Sequence, residues 1–221
     1  MNNEKLIEAL RFYTLATKLK YKLRTGFTKT HWNIKSERIE SIAEHVYGTL
    51  ILAICLDSQF EFNLDLTKVL KMLILHEIGE VIIGDITMFN GISKEEKEKL
   101  EHKAMQTIIG DLIKKEEMMN LLLEFDERTS KEAIFAYHVD KLEADIQSKI
   151  YQDMGMHHDL NDQSNNIVFT FEKTQKIVKN GAETPFDIWY EYDKEIYEND
   201  PIFLEMLTLL KSVNTQKDFK Y

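Results

Sequence analysis

Three short segments of this chain carry the residue types that metal-assisted chemistry needs. They hold His45, the His76-Glu77 pair with Glu80 three residues on, and Asp140. Residues three or four apart on a helix share a face. His76 and Glu80 therefore stack, close to the continuation of the apolar stripe Leu66, Val69, Leu70 and Leu73. Glu77 lies four residues after Leu73, on that same stripe. A face that should enter the core thus ends in an imidazole and carboxylates. Buried carboxylates are costly unless a cation accompanies them, and a divalent ion would offset that cost. His45 and Asp140 show the same oddity on two further helices. Together the four make an N/O donor set suited to a borderline divalent ion. Four protein ligands on a six-coordinate ion leave positions for water and a phosphate oxygen.

Taken singly, each residue has a plainer account. A lone histidine on an apolar face, such as His45 or His138, is ordinarily a hydrogen-bonded core residue. Glu44 belongs to a helix cap. The His76-Glu77-Glu80 run could be a helix end that meets an arginine. Joint occurrence on three helices is what favours a metal. HEIGE also invites comparison with the zinc-peptidase motif HExxH, but its fifth residue is Glu80, so the second imidazole is missing. His157-His158 sit in a polar stretch that reads as a solvated loop.

The rest of the chain has to position these residues. Its 221 residues suit one domain, and 43% hydrophobic with 30% charged residues is an ordinary globular composition. Only 2 prolines and 8 glycines interrupt long periodic blocks of Leu, Lys, Glu and Ile, which argues for an all-α fold. The formal net charge of −10 repels polyanions, so nucleic acid is not an expected partner. The single cysteine, Cys55, lies in TLILAICL and reads as a reduced, buried thiol in a cytoplasmic protein. MNNEKLIEAL lacks a signal-peptide pattern, and no apolar run approaches the roughly 20 residues of a membrane span.

Periodicity places a first amphipathic helix over about residues 4 to 20, with Leu6, Leu10, Tyr13 and Leu15 as its stripe. A polar, basic and aromatic loop follows. Ser41 and Glu44 form a capping box that opens a second helix, running to about Leu56 with Ile42, His45, Thr49 and Leu52 on one face. A third helix spans Leu66 to about Gly84. Ser93 caps a fourth, MMNLLLEF is a further apolar stretch, and Thr129 or Ser130 starts a long helix to Tyr151. The stripe of that helix is Phe135, Val139, Leu142, Ile146 and Ile150, with Asp140 beside it. Residues from about 155 to 170 read as loop. Three short helices finish the chain. Asn180-Gly181 ends one, and Thr184-Pro185 and Asp200-Pro201 open the others.

The motif order resembles the HD-domain superfamily of metal-dependent phosphohydrolases, in the branch of the bacterial 5′-deoxynucleotidases and their eukaryotic relatives. The matching residues are Arg24-Thr25-Gly26, then Glu40 to His45 as E-S-I-A-E-H, then Leu75 to Asp85 as L-H-E-x-x-E-x-x-x-G-D, then Asp140 to Glu143 as D-K-L-E. The resemblance covers about residues 20 to 145. It implies a single HD-type helical domain over 1–221, with its core at about 20–155 and a helical extension at about 156–221. It implies one divalent ion (Mn, Co, Fe, Ni, Zn or Mg) held by His45, His76, Glu77 and Asp140. It further implies that Glu80 positions or deprotonates the attacking water, that Asp85 lies in the active site, and that Arg24 contacts phosphate or sugar. One departure stands out: the signature His-Asp dyad is His76-Glu77 here, which adds a methylene.

The expectation is therefore metal-assisted hydrolysis of a phosphate ester. Lys22 or Arg38 would assist Arg24, and Trp32 would pack a sugar or base unless it anchors the core. Nucleoside monophosphates, deoxy forms especially, are the expected substrates. A deoxynucleoside triphosphate triphosphohydrolase and a nucleotide-sensing regulator are the alternatives. The resemblance also makes a homodimer the expected assembly.

Overall fold

The structure is a computed structural model that describes residues 3–163 and 166–219. No strand occurs among them. The only extended pairing is an isolated antiparallel bridge between Leu23 and Ser41. Ten α-helices follow in order: α1 (Asn3–Ala16), α2 (Ile42–Gln59), α3 (Leu66–Leu75), α4 (Glu80–Ile83), α5 (Lys94–Ile109), α6 (Lys115–Glu127), α7 (Lys131–Asp153), α8 (Glu172–Lys179), α9 (Pro185–Asp193) and α10 (Pro201–Leu210). No described helix is long and apolar enough to cross a membrane. Contacts group the chain into two compact units, residues 1–24 with 40–139, and residues 25–39 with 140–221.

In the first unit, α2 packs on α3, α3 on α6, and α5 on both α4 and α6. Leu19, Ile42, Leu75, Ile78, Met105, Ile108, Ile109 and Leu122 form its buried cluster. The capping box of α2 is present: the Ser41 hydroxyl accepts from the Glu44 amide, and the Glu44 carboxylate accepts from the Ser41 amide at 2.8 Å. Buried Ile42, His45, Thr49, Ala53 and Leu56 form the inward face of that helix. Cys55 falls off this face, beside exposed Ile51 and Ile54, so the expected buried thiol is an exposed one. Its neighbours Ala53 and Leu56 reach the core, but Cys55 lies off their face of the helix, which is why composition misled.

Helix α1 also differs from expectation. Leu6, Leu10 and Tyr13 are exposed, at 52%, 64% and 61%. Of the expected stripe only Leu15 turns to the core cluster, together with Phe12 and Ala16. Arg11 fixes that rotation, because its guanidinium donates to the Thr107 and Ile108 carbonyls at 2.7 and 3.1 Å, near the C-terminus of α5. Gly110 ends α5 at φ +58°, and a Cβ there would stand 2.4 Å from Arg11 Nη1. The glycine thus permits both the left-handed stop and the arginine clamp.

The second unit holds the loop 25–39, the latter part of α7 and helices α8 to α10. Its core is aromatic. Phe27 meets Tyr151 edge-on at 5.0 Å and stacks on Trp189 at 5.7 Å. Trp32 is surrounded by Trp189, Phe169 and His157. Thr184 opens α9 with a capping box to Asp187, and Pro185 occupies its first turn. The segment 155–170, expected as loop, contains two short 3-10 helices, Leu160–Gln163 and Ile167–Thr170. In α7, Ile146 and Ile150 are only half-buried. Leu142, Asp145 and Ser148 are fully enclosed there, and Lys149 is buried. Lys149 pairs with Asp153, whose carboxylate also accepts from the Thr215 amide at 2.7 Å.

Candidate metal centre

His45 sits one turn into α2, wholly buried. The capped start of that helix fixes its height. His76 and Glu77 follow directly on α3, where the helix stops instead of running on to Gly84. The chain tightens there into i→i+3 bonds: Glu80 N to Glu77 O at 3.0 Å, Val81 N to Ile78 O at 3.2 Å, Ile82 N to Gly79 O at 3.1 Å. In that tighter winding residues three apart eclipse, so Glu77 and Glu80 come to lie above one another. Asp140 is carried on helix α7.

His45, His76, Glu77 and Asp140 each offer one ligand atom, and these atoms lie within 4.8 Å of one another. Their chemistry fits a cation. His76 Nδ1 is 2.8 Å from the Leu73 carbonyl oxygen. A carbonyl only accepts, so Nδ1 carries a proton, and in the neutral ring the lone pair is on Nε2. That Nε2 faces Glu77 Oε1 at 3.5 Å, and His45 Nε2 faces the same oxygen at 3.6 Å. A lone pair turned on a carboxylate oxygen is unfavourable unless positive charge lies between them. Backbone-fixed imidazole tautomers of this kind are what metal-ligating histidines need.

Arg24 borders the set. The pairing of residues 22–24 with 40–42 (Arg24 N to Glu40 O at 3.0 Å, Ile42 N to Lys22 O at 2.8 Å) brings it there. Its guanidinium donates to Glu77 Oε1 at 3.3 Å and lies 3.6 Å from Glu40. Glu80 is 1% exposed, and its Oε2 has no hydrogen-bond partner. Burial, then the charges of Glu77 and Asp85, push its carboxyl well above the usual range, against the opposing pull of Lys97 and Arg24. Asp85 follows Gly84, whose φ of +78° turns the chain out of α4.

The remaining candidates lie elsewhere. Trp32, at 3% exposure, has its ring enclosed by aromatic neighbours of the second unit, the geometry of a core anchor. Arg38 is exposed in the same unit. His138 is buried on α7. His157 is not the solvated loop residue that its polar setting suggested. It is buried, donates from Nε2 to the Ser148 carbonyl at 3.2 Å, and burial lowers its pKa to about 4. Sequence reasoning passed over Lys97, whose ammonium lies 3.8 Å from Glu80. Its position in a charged helical stretch gave no signal.

Comparison with known proteins bears on the family and the fold. The family model described as "HD domain" matches residues 16–184. A relative from Schizosaccharomyces pombe, "5'-deoxynucleotidase hdd1", is 34% identical over 159 residues, spanning 69% of this chain and 76% of its own length. "5'-deoxynucleotidase HDDC2" of Dictyostelium discoideum is 32% identical over 152 residues, spanning 65% and 77%. Among solved structures, a protein from Pyrococcus horikoshii OT3 superposes with a TM-score of 0.63 at 24% identity, covering 94% of this chain and 99% of that one. A predicted metal-dependent phosphohydrolase from Magnetospirillum magnetotacticum MS-1 gives 0.60 at 20% identity, covering 95% and 98%. Sequence relatives and fold neighbours thus converge, and the chain belongs to the HD domain family.

Proposed function

We propose that this protein is a metal-dependent phosphohydrolase that cleaves nucleoside monophosphates, deoxy forms foremost. The observation that carries the reading is the His45, His76, Glu77 and Asp140 donor set with the buried carboxylate of Glu80 beside it. The names of the relatives support the substrate class. When bound, a divalent ion supplies Lewis-acid polarisation of the phosphoryl group and a lowered pKa for water. The chain's own residues do the rest. Glu80, enclosed beside the donor set, accepts the proton of the attacking water. Asp85 orients that water. Arg24 meets the phosphate charge with a planar fork of donors. The family match runs through both units, which supports one HD domain with a helical extension. The net charge of −10 favours a small metabolite over nucleic acid. We read the protein as a cytoplasmic homodimer, a reading that the exposed apolar run Tyr47, Ile51 and Ile54 on α2 supports.

The test is one screen. Metal-stripped protein is restored with Mn, Co, Fe, Ni, Zn or Mg and offered nucleoside mono- and triphosphates. Phosphate release from monophosphates is the expected result. Triphosphate release from deoxynucleoside triphosphates would make it a triphosphohydrolase, and nucleotide binding without turnover would make it a sensor.

The His-Glu dyad yields its own expectation. Both imidazoles converge on Glu77 Oε1. Glu77→Ala should therefore abolish stoichiometric metal, while Glu77→Asp should keep it, because the carboxylate type survives. Elemental analysis of the two purified variants checks this, and full occupancy in Glu77→Ala would remove Glu77 from the ligand set.

A further inference from the structure

Helix α5 passes unusually close to the turn that carries the His-Glu pair. A Cβ on Gly79 would stand 2.9 Å from the Glu101 carbonyl oxygen and 3.2 Å from its Cα. Backbone cannot move aside as a flexible side chain can, so only glycine allows this approach. Its consequence lies one helical turn earlier on α5. Lys97 pairs with Glu101 at 3.2 Å in an i,i+4 contact. That pairing steadies an otherwise flexible side chain, and its ammonium lies 3.8 Å from Glu80 Oε1.

Glu80 needs such a partner. Its carboxylate is almost wholly enclosed, and Oε2 finds no donor in the protein. Glu77 and Asp85 both repel it. A carboxylate so placed gains by rotating away from its neighbours towards water, unless a cation restrains it. Arg24 is committed to Glu40 and Glu77. Lys97 approaches from a different element, α5.

We propose that Lys97 is a positioning residue for the phosphohydrolase reaction, holding the Glu80 carboxylate in the orientation from which it takes the proton of water, with Gly79 admitting the helix that delivers it. The inference rests on the function proposed above. Lys97 itself touches neither the ligand set nor the reacting atoms in this account; it acts through Glu80.

The experiment compares Lys97→Met, Lys97→Arg, Glu80→Gln and the double variant Glu80→Gln/Lys97→Met with the parent, each in the metal-loaded form. Lys97→Met should lose about 10-fold or more in kcat, with KM and metal content close to the parent's, as a misplaced base would. Lys97→Arg should recover most of that loss. The double variant should be no slower than Glu80→Gln alone, because the lysine acts only through the glutamate. An unchanged kcat in Lys97→Met, or a further 10-fold loss on top of Glu80→Gln, overturns the proposal. If the parent hydrolyses no nucleotide, it is the nucleotidase reading that fails. The crystal structure of Lys97→Met then decides the role of Lys97: a Glu80 carboxylate turned away from its parental position supports it, and an unmoved one overturns it.

Discussion

Glu80→Gln is expected to keep its metal and its fold yet lose at least about 10²-fold in kcat, the usual loss on removing a general base. The amide is nearly isosteric, so it occupies the same enclosed space. It cannot take a proton from water. Glu80 also stands apart from the four atoms that converge within 4.8 Å, which is why metal content should survive. Replacement removes the mutual repulsion with Glu77 and Asp85 that burial intensifies, so the variant should melt no lower than the parent. Steady-state kinetics, elemental analysis and a thermal melt on one preparation separate these effects. A parental rate would exclude Glu80 as the base. Lost metal would mean it is a ligand instead.

Asp140→Ala is expected to have the larger overall effect, because it removes an ionic ligand and the reaction with it. Its carboxylate is one of only two in the set, and the two imidazoles carry no negative charge to replace it. Stoichiometric metal should be lost, and activity with it. Binding to the folded state alone raises the parent's melting temperature by mass action, about 2.7 kcal/mol of stabilisation at 100 times the dissociation constant. Added ion should therefore raise the melting temperature of the parent and not that of Asp140→Ala. His45→Ala and His76→Ala should behave alike. Full occupancy in all three variants would end the metal reading. The absence of the ion-dependent melting shift distinguishes a lost ligand from general misfolding, since the apo forms of parent and variant should melt together.

Much of this was legible before any coordinates. The capping box opening α2 is a local hydrogen-bond pattern, so Ser41-Glu44 could be read from spacing alone, as could Thr184 and Pro185 as the cap and first turn of α9. The four donors could be shortlisted because each places a costly group on an apolar face. What stayed hidden depends on tertiary packing. The rotation of α1 is set by Arg11 reaching the end of α5, nearly a hundred residues on. The stop after Leu75 leaves the periodicity intact while changing which residues eclipse. Cys55 has an apolar sequence context that its helix turns outward. Lys97 is one lysine in KEEKEK, and only the Gly79 crossing distinguishes it from its neighbours.

The polar interior of α7 has a thermodynamic consequence. Asp145 is fully buried, its carboxylate accepts from the Tyr197 hydroxyl at 3.0 Å, and it shares a hydrogen bond with half-buried Asp193. Two carboxylates can bond to each other only if one holds a proton. Burial raises both above the usual aspartate range, and for Asp145 the charge of Asp193 adds to it, against a weaker pull from Lys141; Lys173 pulls likewise on Asp193. The unfolded aspartates ionise near about 3.9. The pair's contribution to stability is thus complete below that value and declines as pH rises through the folded-state range. Between the unfolded and the folded-state ranges the chain therefore captures a proton from the solvent when it folds, and returns it when it melts. Calorimetric unfolding enthalpies should accordingly depend on the ionisation heat of the buffer between the unfolded and the raised folded-state ranges, and Asp145→Asn should reduce that dependence. This makes the second unit a reservoir for one proton, whose occupancy is coupled to the folding of the C-terminal helices and is separate from the proton traffic of Glu80.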